Sequence, residues 1–296
     1  MAVYSPNLNK EAKNHGKRKK LIVAVSVIAA LSVLLVVFLA SKNTVFFAAA
    51  KNKAEKYDFE TAIVLAENSG NENSGLLRDY INLRLEINGS YPMLLSDFDV
   101  EKIKSWAETA ERIGGQSECL GEKISDDLQG LSQTLSEIIY CESEYKSMRA
   151  DILNLMDVFN EINRLHTKDA EGKNISFTIS EERTKLNGWS LLNSGLLSFI
   201  SRIPGNEKIY LINYLAKEAQ GEISEINSAI DSVAASGYSD TDLVRFSGEA
   251  VRRFPDISNS SGESVNLLDK EKYEQFMYDE MCRILTETLA PYYVAK

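Results

Sequence analysis

The sequence predicts an all-α protein: one N-terminal transmembrane helix followed by an extracytoplasmic multi-helix bundle, which begins with a short helical-repeat-like segment. Three observations lead to this fold class. Residues 21–40 contain no charged side chain, apolar residues recur at steps of three and four through most of the remaining chain, and the five prolines fall at predicted loops or ends. With 44% hydrophobic and 26% charged residues, this chain of 296 residues has the composition of a folded protein.

Residues 21–40 form the predicted membrane anchor, and residues 1–20 form a basic cytoplasmic tail. A twenty-residue helix is about 30 Å long, which matches the hydrocarbon core of a bilayer. Six lysines and arginines precede the apolar run, and basic residues that flank a span stay on the cytoplasmic side. We therefore expect a single-pass protein of the cell membrane, with the N-terminus in the cytoplasm and the C-terminal domain outside.

A cleaved signal peptide is the alternative interpretation of this segment, because Ala48, Ala49 and Ala50 offer a small-residue cleavage site. The apolar run is longer than the roughly 7–15 residues usual in signal peptides. Residues 41–44 also separate the run from the three alanines. Both features favour an uncleaved signal-anchor.

Residues 41–115 are predicted to form a helical-hairpin region. Its clearest element is an amphipathic helix at 97–113, whose apolar face includes Trp106. Gly114 and Gly115 follow this helix, and glycine commonly ends helices because it adopts the left-handed conformation at little steric cost.

Residues 116–296 are predicted to form a helical bundle. Its helices are expected at 125–166, 181–203, 209–233, 240–254 and 268–289. The helix at 181–203, which carries Trp189, supplies a third apolar face beside the two longest helices, so an intramolecular bundle is preferred. Coiled-coil pairing with a second copy is the open alternative, because Ala216 and Ala219 leave a shallow seam on the helix at 209–233.

The only strand-like alternation lies at residues 175–179. This stretch is short and has no evident partner, so we expect an extended lead into the next helix rather than a sheet strand. Thr178 and Glu181 have the spacing of a capping box, which would start that helix.

Residues 54–71, AEKYDFETAIVLAENSGN, resemble the hinge and second helix of tetratricopeptide-type repeats. The matching positions are small, aromatic and aliphatic: Ala54, Tyr57, Phe59, Ala62, Ile63 and Ala66. With helices expected at 44–54 and 76–87 on either side, the resemblance covers residues 44–87 at most. It implies that the segment binds a peptide or protein partner. An ordinary helical hairpin that uses alanine for close packing is the open alternative.

Charge differs between the two sides of the predicted anchor. The tail carries a net charge of +5, which leaves −15 for residues 21–296 because the whole chain carries −10. Such an acidic surface repels the phosphates of nucleic acids and anionic lipids. We therefore expect no nucleic-acid partner, and contact with the bilayer only through residues 21–40.

Motifs for catalysis and metal binding are missing from the sequence. It contains no phosphate-binding glycine loop, HExxH, CxxC pair or EF-hand spacing, and His166 is the only histidine after the tail. We predict no catalytic residue, no cofactor and no metal. Cys119, Cys141 and Cys282 would all lie outside the cytoplasm, where a disulfide is stable, and their pairing stays open.

The predicted function is that of a membrane-anchored extracytoplasmic scaffold or protein-interaction module of the cell envelope, not an enzyme. Four aromatic residues are the candidate partner-binding anchors, on the condition that they are exposed: Tyr57, Phe59, Trp106 and Trp189. The alternative is an extracytoplasmic enzyme that acts on envelope polymers with carboxylates from separate helices. A pocket that holds two carboxylates about 5–10 Å apart would favour it.

Overall fold

The computed structural model describes residues 26, 30–37, 41–246, 251–258 and 262–294. Over these residues the fold is mostly helical, with nine α-helices and four short strands, as the predicted class requires. The basic tail and most of the predicted anchor at 21–40 lie outside the described residues.

The first helix, α1, spans Ala30–Ala54 and is long and apolar enough to cross a membrane. This confirms an apolar N-terminal helix by length and composition. Its residues 30–37 are all exposed, and they include Leu34 and Val36 at 64% and 65%. Such a surface is unfavourable in water and is one that lipid would cover.

The chain divides into two compact units, the first made of Met1–Leu85 and Arg112–Leu128. In this unit α1 is followed by α2 (Phe59–Glu67) and by the start of α3 (Ser74–Leu94), and the unit also holds the start of α5 (Glu122–Leu155). Small buried residues let the helices approach closely: Ala50, Ala54, Ala62 and Ala66. Asp58 caps α2 by accepting a hydrogen bond from the backbone N–H of Thr61.

The second unit is made of Glu86–Glu111 and Gln129–Lys296. Besides parts of α3 and α5, its helices are α4 (Val100–Gly114, except for its last turn), α6 (Asp157–His166), α7 (Ile179–Ile200), α8 (Tyr210–Ala235) and α9 (Lys270–Glu287). Helix α7 packs along α8, and Ala216 and Ala219 of α8 are 2% and 0% exposed. The seam that could have paired with a second copy therefore lies in the core of this unit.

The capping box is confirmed at the start of α7. Thr178 Oγ1 accepts a hydrogen bond from the backbone N–H of Glu181 at 3.3 Å, and the Glu181 carboxylate accepts one from the backbone N–H of Thr178 at 3.3 Å. These reciprocal bonds satisfy two N–H groups that the helix leaves without partners.

The single long helix predicted at 125–166 is wrong, because the chain turns at Met156 between α5 and α6. Asp157 begins α6, where a carboxylate is favoured by the helix dipole, and its Oδ1 accepts a hydrogen bond from Lys270 Nζ at 2.8 Å. The apolar seam continues across the turn, since Leu155 and Phe159 are both fully buried. Periodicity therefore identified the buried face but not the interruption.

The helix predicted at 240–254 is also wrong. Leu243–Arg245 forms strand β2, which pairs antiparallel with β1 (Ser176–Thr178), and residues 251–256 are not helical; residues 247–250 lie outside the described part. Residues 176–178 of the stretch expected to be only an extended lead therefore form a sheet strand. Phe177 and Val244 lie opposite each other and are both buried. The partner strand β2 is more than sixty residues away from β1 along the chain, so no local sequence pattern predicts the pairing.

A second small sheet lies between the helices predicted at 240–254 and 268–289, where no strand was expected. Its strands are β3 (Ile257–Ser258) and β4 (Ser264–Val265), paired antiparallel. Pro92, expected in a loop, lies instead in the last turn of α3.

Candidate functional site

The four predicted aromatic anchors differ in exposure. Phe59, Trp106 and Trp189 are buried, whereas Tyr57 is 44% exposed. An anchor must reach the surface of its partner, so only Tyr57 meets the condition on which the four were chosen.

Tyr57 belongs to a cluster around the buried guanidinium of Arg84 in the first unit. The Arg84 Cζ atom lies 5.4 Å from the ring centroids of both Tyr57 and Phe59. Arg84 also donates to the Asp127 carboxylate, which accepts a second hydrogen bond from the Tyr80 hydroxyl at 2.8 Å. These contacts hold α2, α3 and α5 together. Packing against Arg84 therefore accounts for the position of the Tyr57 ring.

The backbone of Tyr57 supports the same interpretation. It is the only non-glycine residue with positive φ in the described ranges, at +61°. This conformation costs a bulky side chain on the order of 1–2 kcal/mol, so the fold around it must impose it. The stacking of its ring on Arg84 gives a structural reason for the strain.

Two buried carboxylates meet in the second unit, on α6 and α7. Arg164 donates to Glu161 at 2.6 Å and to Glu182 at 2.9 Å, and Lys185 Nζ lies 2.8 and 2.9 Å from the same two carboxylates. Burial raises the pKa of Glu182. Burial opposes the shift at Glu161, but hydrogen bonds from Arg164 and Lys185 lower its pKa to about 2.

Two carboxylates with opposite pKa shifts are typical of acid–base catalysis. Here, however, each is bridged by two cations, and neither Glu161 nor Glu182 lines the clefts described below. The arrangement fits a structural ion cluster that joins α6 to α7. Sequence analysis missed it because its members lie on two separate helices.

We expect the melting temperature to fall as the pH rises above about 4.5, because burial raises the pKa of Glu182, Glu222 and Glu280 from that ordinary value. In this range the folded state binds more protons than the unfolded chain, so its stability decreases with pH. The lowered pKa of Glu161 has the opposite effect. It stabilises the folded state above about pH 4.5, and this stabilisation is lost as the pH falls from about 4.5 to 2. The melting temperature should therefore be highest near pH 4.5, as measured by circular dichroism in a pH series.

The Glu182→Gln variant should reduce the slope of this profile above pH 4.5, because the amide cannot ionise. Glu108→Gln, at an exposed position, is the matched control and should leave the profile unchanged. A wild-type melting temperature that does not change between pH 5 and pH 7 would contradict the expectation.

Two clefts of the second unit are lined entirely by described residues. One has a volume of about 450 Å³ between the α3–α4 connection and α9, and its lining includes Asp97, Asp279, Tyr278 and Cys282. The other has a volume of about 360 Å³ and lies beside the end of α8. In the larger cleft, burial raises the pKa of Cys282 to about 12, so its thiol stays protonated at neutral pH and is a poor nucleophile.

The exposed side of α7 is uncharged along its middle. We call it the α7 face, defined by exposed residues at alternating steps of three and four, the last of which lies just beyond the end of the helix: Glu181, Thr184, Gly188, Leu191, Gly195, Ser198 and Arg202. No charged residue occurs in the sixteen positions 186–201, although a quarter of the whole chain is charged. Leu191, in the middle of the face, is 74% exposed.

The two glycines of the α7 face have no role in the packing of the unit. A Cβ atom added at Gly188 or Gly195 would meet nothing within 4 Å in the described structure. Each glycine also costs a helix about 1 kcal/mol relative to alanine. The α7 face therefore leaves room for the close approach of another backbone at both glycines.

The described residues contain no group of three or more histidine, cysteine, aspartate or glutamate side chains that could hold a metal ion. The three cysteines, whose pairing the sequence left open, are all free thiols; Cys119 is exposed and the other two are buried.

No family model, curated protein or solved structure matches this chain. The tetratricopeptide resemblance of residues 44–87 therefore stays a prediction, and the function must be argued from the surfaces of the chain itself.

Proposed function

We propose that this chain is a single-pass membrane protein of the cell envelope whose extracytoplasmic helical domain is a scaffold that binds a protein partner through the α7 face. The observation that carries this proposal is the exposed, uncharged run of α7, with Leu191 at its centre and glycines on both sides. Interfaces of proteins are depleted of charge at their centres, whereas a solvated helix face is normally rich in charge.

The membrane part of the proposal is supported by α1 and by the charge distribution. The apolar side chains of residues 30–37 are exposed, and the sequence contains no charged residue from 21 to 40. The six lysines and arginines before the apolar run favour a cytoplasmic N-terminus.

Binding is preferred to catalysis because three potentially reactive groups of the second unit are held in unreactive forms. Glu161 and Glu182 are bridged by Arg164 and Lys185, and the Cys282 thiol is kept protonated by burial. The α7 face, in contrast, is open to a partner along its whole length.

Copurification after cross-linking in intact native cells tests the proposal. A protein partner captured by the full-length chain should be lost in Leu191→Glu, because a carboxylate would have to be buried without a partner at the centre of the interface. Leu243→Glu is the matched control, since Leu243 is 70% exposed on β2 of the same unit, and this variant should retain the partner. Capture by Leu191→Glu at the wild-type level would contradict the proposal.

An enzyme that acts on envelope polymers is the second candidate, and the larger cleft favours it because Asp97 and Asp279 both line it. We would incubate the full-length protein with isolated envelope polymer and measure the release of soluble fragments. Release that is lost in both Asp97→Asn and Asp279→Asn would support this candidate, and no release from any polymer would count against it.

A further inference from the structure

We propose that the partner of the α7 face is the α7 face of a second copy of this chain, with the two helices antiparallel about a two-fold axis. This inference rests on the proposed function, which assigns the α7 face as the binding surface. It adds the identity of the partner and the register of the contact.

The first argument is the symmetry of the helix sequence. Residues 188–195, GWSLLNSG, follow the pattern G-x-x-L-L-x-x-G, which is the same in both directions. A two-fold axis between Leu191 and Leu192 places Gly188 of one copy opposite Gly195 of the other. Such an interface uses one surface twice and must be self-complementary, and the two exposed glycines of the α7 face lie symmetrically about this axis.

The second argument is steric. In this register the glycines of the two copies face each other, and the space above Gly188 and Gly195 is open in the described structure. The helix backbones can therefore come close together near both ends of the contact. The exposed Leu191 side chains of the two copies then meet at the axis and are covered.

The third argument is electrostatic. The same axis places Glu181 of one copy opposite Arg202 of the other, and symmetry repeats this pair at the opposite end. Both side chains are exposed and already oriented within their own copy: Glu181 by the capping box, and Arg202 by hydrogen bonds to Glu144 and to the Tyr140 hydroxyl. The guanidinium has five N–H donors, so it can also bind the carboxylate of the second copy.

Charge also favours a second copy over a basic partner. Two copies that each carry −15 over residues 21–296 repel each other wherever carboxylates face carboxylates. The α7 face avoids this repulsion, because its middle is uncharged and its ends carry opposite charges. A basic partner would instead be attracted to the acidic surfaces outside the α7 face.

We expect a weak dimer in solution. Stable interfaces bury about 800 Å² on each partner, and a single helix pair offers less than a typical interface. Anchoring both copies in one bilayer raises their effective concentration, so the contact should form mainly in membranes.

Cysteine cross-linking of the full-length protein in phosphatidylcholine vesicles tests the register. The Leu191→Cys variant, in a Cys119→Ser background that removes the exposed native thiol, should form a disulfide-linked dimer on mild oxidation. Leu243→Cys in the same background is the matched control for exposure. We expect about fivefold more dimer from Leu191→Cys than from Leu243→Cys on a non-reducing gel, and equal yields would overturn the proposal.

A charge exchange gives a second, independent test. In a dimer of Arg202→Glu, the carboxylates at 181 and 202 of the two copies lie opposite each other and repel. In a dimer of Glu181→Arg, two guanidinium groups lie there instead. Each variant should therefore dimerise less than wild type. Mixing the two variants with different tags restores opposite charges at both ends, so the mixed dimer should be the main species. Circular dichroism of each variant checks that α7 is intact. Equal association of the single variants and of their mixture would overturn the pairing.

The two proposals can fail separately. Partner capture in cells that depends on Leu191, together with no cross-link at Leu191→Cys in vesicles, would leave the binding function standing and overturn the second copy as partner. Capture of the partner by Leu191→Glu at the wild-type level, together with equal dimer yields from Leu191→Cys and Leu243→Cys, would overturn both.

Discussion

The Trp106→Ala substitution is expected to lower the free energy of unfolding by about 4 kcal/mol, because it removes a large buried ring and leaves a cavity. Trp106 is 1% exposed on α4, whose neighbouring apolar positions Ile103 and Ala110 are fully buried. Urea unfolding followed by far-ultraviolet circular dichroism measures the change. Trp189 remains in this variant and provides a fluorescence signal for the same transition.

The conservative variant Trp106→Phe separates volume from hydrogen bonding. The indole Nε1 of Trp106 is buried and has no hydrogen-bond partner in the described part of the chain, so its removal offsets part of the lost volume. We expect a loss of about 1 kcal/mol from this variant. If Trp106→Ala left stability unchanged but abolished partner capture, the core assignment would be wrong and the residue would be a binding anchor.

The Arg84→Met substitution is expected to destabilise the first unit by about 3 kcal/mol, because it leaves the Asp127 carboxylate without its cation. The Arg84 side chain is fully buried and that of Asp127 is 13% exposed, so water replaces the lost interaction poorly. The contacts of the guanidinium with the rings of Tyr57 and Phe59 are lost as well. Thermal unfolding compared with wild type measures the effect.

An exposed ion pair in the same unit provides the control. Arg112 donates to Asp79 at 2.9 Å, but the two side chains are 54% and 43% exposed, so Arg112→Met should change stability by less than about 0.5 kcal/mol. The loss of stability in Arg84→Lys should lie between those of Arg84→Met and Arg112→Met, since lysine keeps the charge but lacks the planar guanidinium. A loss below about 1 kcal/mol in Arg84→Met would contradict the importance of this cluster.

The buried arginine illustrates what could be found in the sequence and what could not. Arg84 lies on the apolar stripe of α3, three or four residues from Tyr80, Ile81 and Ile87, and a charge on such a stripe is a usable signal. Its partner Asp127 is 43 positions away, and no local pattern connects the two. The same limit applies to Glu161 and Glu182, and to the pairing of β1 with β2.

The α7 face shows the same division within one helix. The apolar stripe with Leu186, Trp189 and Leu196 was recognised, and the structure buries it. The charge-free run was also visible in the sequence. Its meaning was not, because an uncharged residue can be core or surface, and only the position of the packed stripe shows that Gly188 and Leu191 face outward.

The sequence by itself determined the helical class, the apolar N-terminal helix, the buried stripes and the cap at Thr178, because these depend on residues within a few positions of one another. Only the tertiary structure decided where α5 ends, that β1 pairs with β2, which aromatic residues are exposed, and which side of α7 faces solvent. These outcomes depend on contacts between residues that are distant in the chain, and many arrangements of the same helices would satisfy the same local pattern.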